Sequence, residues 1–464
     1  MVLPPDMVLD LVTLGEQGVP YDDLLRGLLA SGFEPEATRR MLARANERLK
    51  TPLLRPQGVE DGGFLVEEPV LFPEAGSWWV IFQQAMERSR SELPEEAVPV
   101  VAEFLRLLSR SEDVERVREA WPFDDAEWLE RLTRGGTPDS RWPEPDGPGI
   151  YRREHACVLI RSRTTSILVD PIQLQRRLPS MRGAPLHPGV EQVDAVAITH
   201  SHVDHWHLPS LLGRLSGAEF PVLVPRVPRL NLLTPVDFQA VLRACGQRVL
   251  APGWHETTKV GDIEVEVLPF YGEQPTRDGP RYREGLRSWG NCYRFDTEDF
   301  SCLLLVDSGT DPEGGMAEAV AESCRRRGPV DVVLACQREF LSPFFGGLSH
   351  YWAALPWARL QALYGDYREG RLKSATAGPS GAAEVCAAAR SRSFLAYANG
   401  YEGMGQPITD VGWGDGEPSE AQCNARMREH LARLGVRVEV GEWRPGEVAR
   451  FSAGRLRVER PAAR

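Results

Sequence analysis

His200-Ser-His202-Val-Asp204-His205 places four metal-ligating side chains within six residues and uses three of the nine histidines in the chain. Imidazole and carboxylate donors together suit zinc, iron or manganese at neutral pH. A single structural ion does not need so many donors from one loop, so the cluster points to two adjacent cations. Just upstream, Val193-Asp-Ala-Val-Ala-Ile198 is a short, mostly apolar run between turn signals, which predicts a buried strand. The ligands then occupy the loop at the C-terminal end of that strand, where layered α/β folds assemble their sites.

A pair of cations needs donors from other strand ends as well. Asp307 closes the apolar run Leu303–Val306 and precedes Ser-Gly-Thr, a placement that suits a bridging carboxylate; a turn or helix-cap Asp is the competing reading. Glu273 ends Leu268-Pro-Phe-Tyr-Gly-Glu, again just past a strand, where an exposed loop Glu is the alternative. His350 lies in Phe344-Phe-Gly-Gly-Leu-Ser-His-Tyr-Trp352. Glycines there permit close backbone approach and aromatics wall off water, although a histidine packed among aromatics would read the same way. Tyr271, Arg338 and Glu339 are candidate pocket-lining residues, for which ordinary packing or surface roles fit equally.

The elements that must position these residues change in kind along the chain. Residues 1–140 read as a mainly helical accessory or dimerisation domain, with apolar positions at helical spacing in 22–29 and again in 97–108. No histidine precedes His155, so this region offers no evident ligand set. A Pro/Gly-rich connector from Gly135 to Gly149 marks the best boundary. Beyond it, residues 148–415 alternate strands with helices. His155–Ile160 and Ser166–Pro171 predict a strand pair, Ile263–Leu268 alternates strictly, and Cys302–Asp307 and Val330–Ala335 are core strands with a helix between them around Met316–Arg326. A helix over Leu208–Leu215 should follow the ligand loop. Residues 416–464 form a C-terminal extension of one helix, then the alternating run Val436, Val438, Val440, and a last strand at Arg455–Val458.

Composition narrows the partners. A net charge of −12 argues against nucleic acid and against an anionic membrane surface. No apolar run approaches a membrane span, and the N-terminus lacks the features of a leader. The eight cysteines contain no CxxC pair and read as buried free thiols of a reducing compartment, so a cytoplasmic protein is expected.

His200-x-His202-x-Asp204-His205 followed by a strand-terminal Asp307 resembles the metallo-β-lactamase superfamily. His155-Ala-Cys-Val-Leu-Ile and Ile167-Leu-Val-Asp170-Pro171 resemble the first strands of that fold, and the likeness covers roughly residues 148–415. It implies an αββα sandwich with metals at the sheet edges. By this resemblance His200 and His202 hold metal 1, Asp204 and His205 hold metal 2, and Asp307 bridges. The superfamily's third histidine on metal 1 should follow the Ile263–Leu268 strand, but Glu273 stands there instead. His255 precedes the strand and fits less well. A Glu at this place resembles the diiron branch typified by the chloramphenicol-biosynthesis β-hydroxylase, whose substrate is an amino acid tethered to a carrier protein. Exchanging an imidazole for a carboxylate adds negative charge, which favours a harder iron pair over zinc and lowers its potential.

The superfamily's last histidine, on metal 2, should follow a later strand, yet Phe394–Glu402 contains none. His350 is the favoured substitute, with Asn399 or solvent as alternatives; His207 reads as the start of the next helix. The resemblance therefore implies a dinuclear enzyme holding two Fe ions, an O₂-dependent oxygenase of natural-product biosynthesis. Asp204, Glu273 and Asp307 would be its catalytic carboxylates. Such an enzyme requires an external electron donor and acts on a small-molecule or carrier-bound substrate, with the N-terminal region serving carrier docking or homodimer formation. The alternative is a two-zinc hydrolase of an ester, amide, lactone or phosphodiester. A binding module with a decayed site is disfavoured by the intact ligand run.

Overall fold

Apolar runs and strict alternation in this sequence resolve into two β-sheets packed face to face. The computed structural model describes residues 40, 54–56, 64–66, 145–153, 155–171, 193–202, 204–206, 211, 220–231, 233–234, 236–244, 247–272, 287–341, 357–399, 418–452 and 454–460, with main chain only for 54–56, 64–66 and 357–361. Glu273, His350 and His207 lie outside these residues, as do the helices expected over 22–29, 97–108 and, apart from Leu211, 208–215.

In the N-terminal region β1 (Leu54–Pro56) pairs antiparallel with β2 (Phe64–Val66). The first large sheet begins with β3 (Gly149–Arg152), β4 (Val158–Arg161) and β5 (Ser166–Val169), which run antiparallel. It continues in parallel through β6 (Ala195–Ala197), β7 (Val222–Leu223) and β8 (Val249–Leu250), with α1 (Phe238–Ala244) between the last two. The expected strand pair forms, but its first strand starts at Val158 rather than His155. His155 adopts a left-handed φ of 51°, and Arg153 N–H donates to Cys157 O (2.9 Å), closing a turn that delays the strand.

The second sheet opens with β9 (Thr257–Val260), β10 (Ile263–Leu268), β11 (Cys292–Asp296) and β12 (Ser301–Val306), all antiparallel. A small hairpin of β13 (Thr310–Asp311) and β14 (Gly314–Gly315) leads into α2 (Met316–Arg327), matching the helix expected there. Next come β15 (Val332–Ala335), α3 (Trp357–Arg368), α4 (Gly378–Ala389), β16 (Ser393–Ala396), α5 (Glu420–Leu434) and β17 (Glu439–Gly441). Strands β12, β15, β16 and β17 are mutually parallel, which requires the crossover connections that these helices supply. Finally β18 (Val448–Ser452) and β19 (Arg455–Glu459) return to the first sheet beside β3. The completed orders are β19-β18-β3-β4-β5-β6-β7-β8 and β17-β16-β15-β12-β11-β10-β9.

The alternation of β10 shows how the layers are built. Ile263, Val265 and Val267 enter the core between the sheets, together with Val158, Ile160, Val169, Phe295 and Cys302. On the opposite face Glu266 is buried against α2, where it accepts a hydrogen bond from Ser323 (2.6 Å) and pairs with Arg326. In the C-terminal segment the alternating valines give only a short strand. Gly435, at φ 69°, ends α5 and Val436 N–H closes back on Leu431 O (3.1 Å), so Val436 belongs to the helix cap. Seven cysteines among the described residues are buried and free, as their apolar settings predict. No helix among the described residues is long and apolar enough to cross a membrane.

Candidate metal centre

The ligand loop leaves β6 and curls at once. His205 and Trp206 both donate their N–H groups to His202 O (3.0 and 2.7 Å), a turn that brings Asp204 and His205 back beside His200. The second sheet supports the start of this loop. Asn291 N–H donates to Thr199 O (2.7 Å), and the Tyr293 hydroxyl donates to Ile198 O (2.7 Å). From β12 comes Asp307. A register shift between Leu304 and Val306, with Val306 at φ 48°, re-aims the chain just before it.

Among the described residues two groups can each hold a metal ion: His200, His202 and Asp307, and His155, Asp204 and His205. Asp307 joins them, because its Oδ2 lies 3.8 Å from His200 Nε2 and 3.1 Å from His205 Nε2. Asp204 Oδ2 stands 3.1 Å from His155 Nε2 and 3.7 Å from His205 Nε2. With metal–ligand bonds of about 2.1 Å, two donors on one ion are separated by about 3.0 Å in an octahedron and about 3.4 Å in a tetrahedron. The two separations of 3.1 Å fall between those edges, and those of 3.7 and 3.8 Å lie a few tenths of an ångström beyond the longer one. His200 Nε2 and Asp307 Oδ1 are moreover buried without hydrogen-bond partners. Protein groups left so are costly unless a further partner is bound. The residues present therefore fit a dinuclear metal site.

One buried carboxylate sets the orientation of the imidazoles. Asp170, fully buried at the end of β5, accepts from Thr199 N–H (2.8 Å) and the Thr199 hydroxyl (2.6 Å), and from His205 Nδ1 (2.9 Å). Because the Thr199 hydroxyl gives its only proton to Asp170, it can only accept from His200 Nδ1, 3.0 Å away. In their neutral, metal-binding forms both rings then carry their proton on Nδ1 and turn a lone pair on Nε2 towards Asp307. Burial, with the neighbouring His205, His202 and His155, pushes the His200 pKa well below the usual imidazole range, which keeps that lone pair free. Burial opposes the Asp204 anion, but the charge of His205 and the hydrogen bond from His155 outweigh it and hold its pKa well down. His205 is also disfavoured as a cation by burial, yet Asp204, Asp307 and Asp170 raise its pKa well above normal. Three acidic groups so close together mark a place built to hold positive charge.

Around the donors lies an aromatic wall. Phe270 stacks on His200 (centroids 4.9 Å apart), and Gly290 fits against the Phe270 ring and the Cβ of His200. Arg287 lies over Trp254, Tyr271 and Trp289 at 4.8, 5.5 and 5.4 Å and donates to Phe270 O (2.9 Å).

Five of the residues expected from sequence thus come together: His200, His202, Asp204, His205 and Asp307. The Asn399 side chain is engaged away from the donor groups. Its Oδ1 accepts from Gln337 N–H (2.8 Å) and its Nδ2 donates to Glu420 (3.2 Å), so both ends of the amide are engaged. His255 is exposed. Sequence reasoning missed His155 and the orienting pair Thr199 and Asp170. Asp170 carried the same signal as Asp307, a carboxylate ending an apolar strand, and His155 preceded such a strand.

Residues 165–334 match the family described as the beta-lactamase superfamily domain. Together with the two-sheet sandwich and the donor loop, this match gives that part of the chain the metallo-β-lactamase fold. A curated relative is the 4-amino-L-phenylalanyl-(CmlP-peptidyl-carrier-protein) 3-hydroxylase of Streptomyces venezuelae, 33% identical over 217 residues, which cover 46% of this chain and 36% of that one. A UPF0173 protein of Pyrococcus abyssi is 30% identical over 126 residues, covering 27% and 49%. The alignments thus span about a third and about half of those curated relatives' lengths. Among solved structures, the diiron beta-hydroxylase CmlA from Streptomyces venezuelae superposes with a TM-score of 0.50 at 22% identity, covering 77% of this chain and 62% of that one; it shares the fold.

Proposed function

We propose that the protein is a dinuclear non-haem iron oxygenase that hydroxylates a substrate C–H bond, the substrate being an amino acid or peptide carried on a carrier protein. Metal 1 is held by His200, His202 and Glu273, metal 2 by Asp204 and His205, and Asp307 is shared. The observation that carries this reading is the position of Asp307 between the two donor groups, 3.8 Å from one imidazole and 3.1 Å from another. A second feature lies in the backbone just before Glu273. Gly272, the residue before Glu273, has a φ of 129° that favours glycine, and a Cβ there would stand 2.2 Å from Ala375 O. Tyr271 O accepts from Gly309 N–H (2.7 Å), so the chain at Tyr271 lies against the loop that follows Asp307.

When bound, two iron ions would supply the reduction of O₂. One oxygen atom would enter the C–H bond and the other would leave as water, with two electrons and two protons drawn from an external donor. The chain's own residues hold the donors in their Nδ1–H tautomers through Asp170 and Thr199. Phe270, Trp254 and Trp289 shield the metal-1 side from water. The named reaction of the curated relative, on a carrier-bound aminophenylalanine, supports a tethered substrate. The N-terminal region would dock the carrier or form a homodimer.

Metal analysis of aerobically purified protein tests this reading, with two iron ions per chain expected. The described donors, four imidazoles and two carboxylates, also suit zinc, so a two-zinc hydrolase is the second reading. Zinc content together with hydrolysis that needs no reductant would establish it instead. Glu273→Ala is expected to lose metal 1 and retain one ion per chain. Full loading in that variant would remove Glu273 from the site.

A further inference from the structure

We infer that His155 is the missing protein ligand of metal 2, taking the place expected for His350. This deepens the dinuclear reading and rests on it. Asp204 and His205, with the shared Asp307, leave metal 2 one protein donor short of the set proposed for metal 1. The superfamily resemblance would fill the gap from the chain that follows β16, where this sequence has Ala398 and Asn399 and the Asn399 amide is engaged elsewhere. The backbone of His155 meets that same strand end from the opposite sheet, with Ala398 N–H donating to His155 O at 3.3 Å. Its side chain is almost wholly buried, with Nε2 3.1 Å from Asp204 Oδ2 and its ring edge-on to His205 at 5.0 Å. Its donor atom lies within 4.8 Å of those of both Asp204 and His205.

The local backbone is shaped to deliver this ring. His155 at φ 51° and Ala398 at φ 56° are both in the left-handed region, which costs a non-glycine residue energy that surrounding contacts must offset. The turn they shape inserts an imidazole from the β3–β4 connection into the place the other sheet leaves open.

Position 155 separates a ligand from a residue that only positions Asp204 by a hydrogen bond. His155→Gln keeps an amide N–H near the position of Nε2, and so the hydrogen bond, but supplies a poor ligand. Wild type, His155→Ala, His155→Gln and His350→Ala, each as the full chain, would be loaded with Fe(II) under anaerobic conditions. Ions per chain would be counted and Mössbauer spectra recorded; melting curves of the metal-free proteins would establish folding. The expected result is two ions in wild type and in His350→Ala. Both His155 variants should hold one, with the spin-coupled pair lost. Should His155→Ala fail to fold, His155→Gln alone carries the test. Two ions bound at wild-type affinity in His155→Gln would overturn the assignment, as would loss of one ion from His350→Ala. Fewer than two ions in wild type would instead overturn the dinuclear reading beneath it.

Discussion

Asp170 offers the sharpest test of how the centre is organised. In Asp170→Asn, Oδ1 can still accept from Thr199 N–H, as it does at 2.8 Å. The other oxygen, which accepts from the Thr199 hydroxyl at 2.6 Å and from His205 Nδ1 at 2.9 Å, becomes an N–H₂ donor. A donor then faces Nδ1–H of His205, and the ring can regain a hydrogen bond only by moving its proton to Nε2. That proton occupies the lone pair aimed at Asp307. The Thr199 hydroxyl is released as well, and with it the constraint on His200. Partners that orient a metal-bound histidine are worth about 10–100-fold in metal affinity, or about 1.4–2.7 kcal/mol. Because Asp170 orients one donor of each metal, both ions should bind more weakly, and the one on His205 more so. Competitive titration against a chromophoric chelator reads the two affinities. ¹⁵N NMR of the imidazoles reads the tautomers. Wild-type affinity at both ions, with His205 still protonated on Nδ1, would refute the reasoning.

Three further outcomes follow from packing and charge. Gly290→Ala places a methyl group 2.8 Å from Phe270 Cγ and 3.0 Å from His200 Cβ, so thermal melting should fall by the equivalent of about 1–3 kcal/mol and metal 1 should bind more weakly. Glu266→Ala strands the buried Ser323 hydroxyl and releases Arg326, which is 41% exposed and stays solvated; denaturant titration should show a loss of about 2 kcal/mol with metal content unchanged. Burial works against the Asp262 anion, but hydrogen bonds from Ser162, Thr165 and Thr164 hold its pKa down at about 2. A depressed carboxylate stabilises the fold above its unfolded pKa and loses that contribution as pH falls through the folded one. The melting advantage of wild type over Asp262→Asn, small because the group is exposed, should therefore shrink between about pH 5 and about pH 2.

Much of the centre could be read in the sequence because its donors follow strands with strong local signals. An apolar run ending in His, or in Asp before a Gly turn, states both the element and the place where it stops, and His200, His205 and Asp307 all lie there. His155 was less legible because its role depends on φ and on a partner, Ala398, lying 243 positions away in the chain. Nothing local distinguishes it from the first residue of a strand. The valines at 436, 438 and 440 misled for a related reason: alternation predicts a strand, but Gly435 commits the first of them to closing the helix before it. Pairing across sheets, which carries β18 and β19 back beside β3, is likewise a tertiary choice with no periodic trace.

The division of donors between the sheets gives metal binding a structural consequence. His155, His200, His202, Asp204 and His205 all belong to connections of the eight-stranded sheet, whereas Asp307 comes from the end of β12 in the seven-stranded one. Without cations, His200 Nε2 and Asp307 Oδ1 face each other's neighbourhood unpaired, each at a cost of about 1–3 kcal/mol. In the reading proposed here, ions held by Asp307 and the imidazoles would satisfy both atoms and would tie the two sheets together at one edge. Ligand geometry and sandwich stability are therefore thermodynamically linked, since whatever binds the assembled seam but not the separated strands stabilises the fold. The Asn291 backbone N–H and the Tyr293 hydroxyl, at the start of β11, hydrogen-bond the backbone just before the ligand loop and so hold the two sheets in register at this seam.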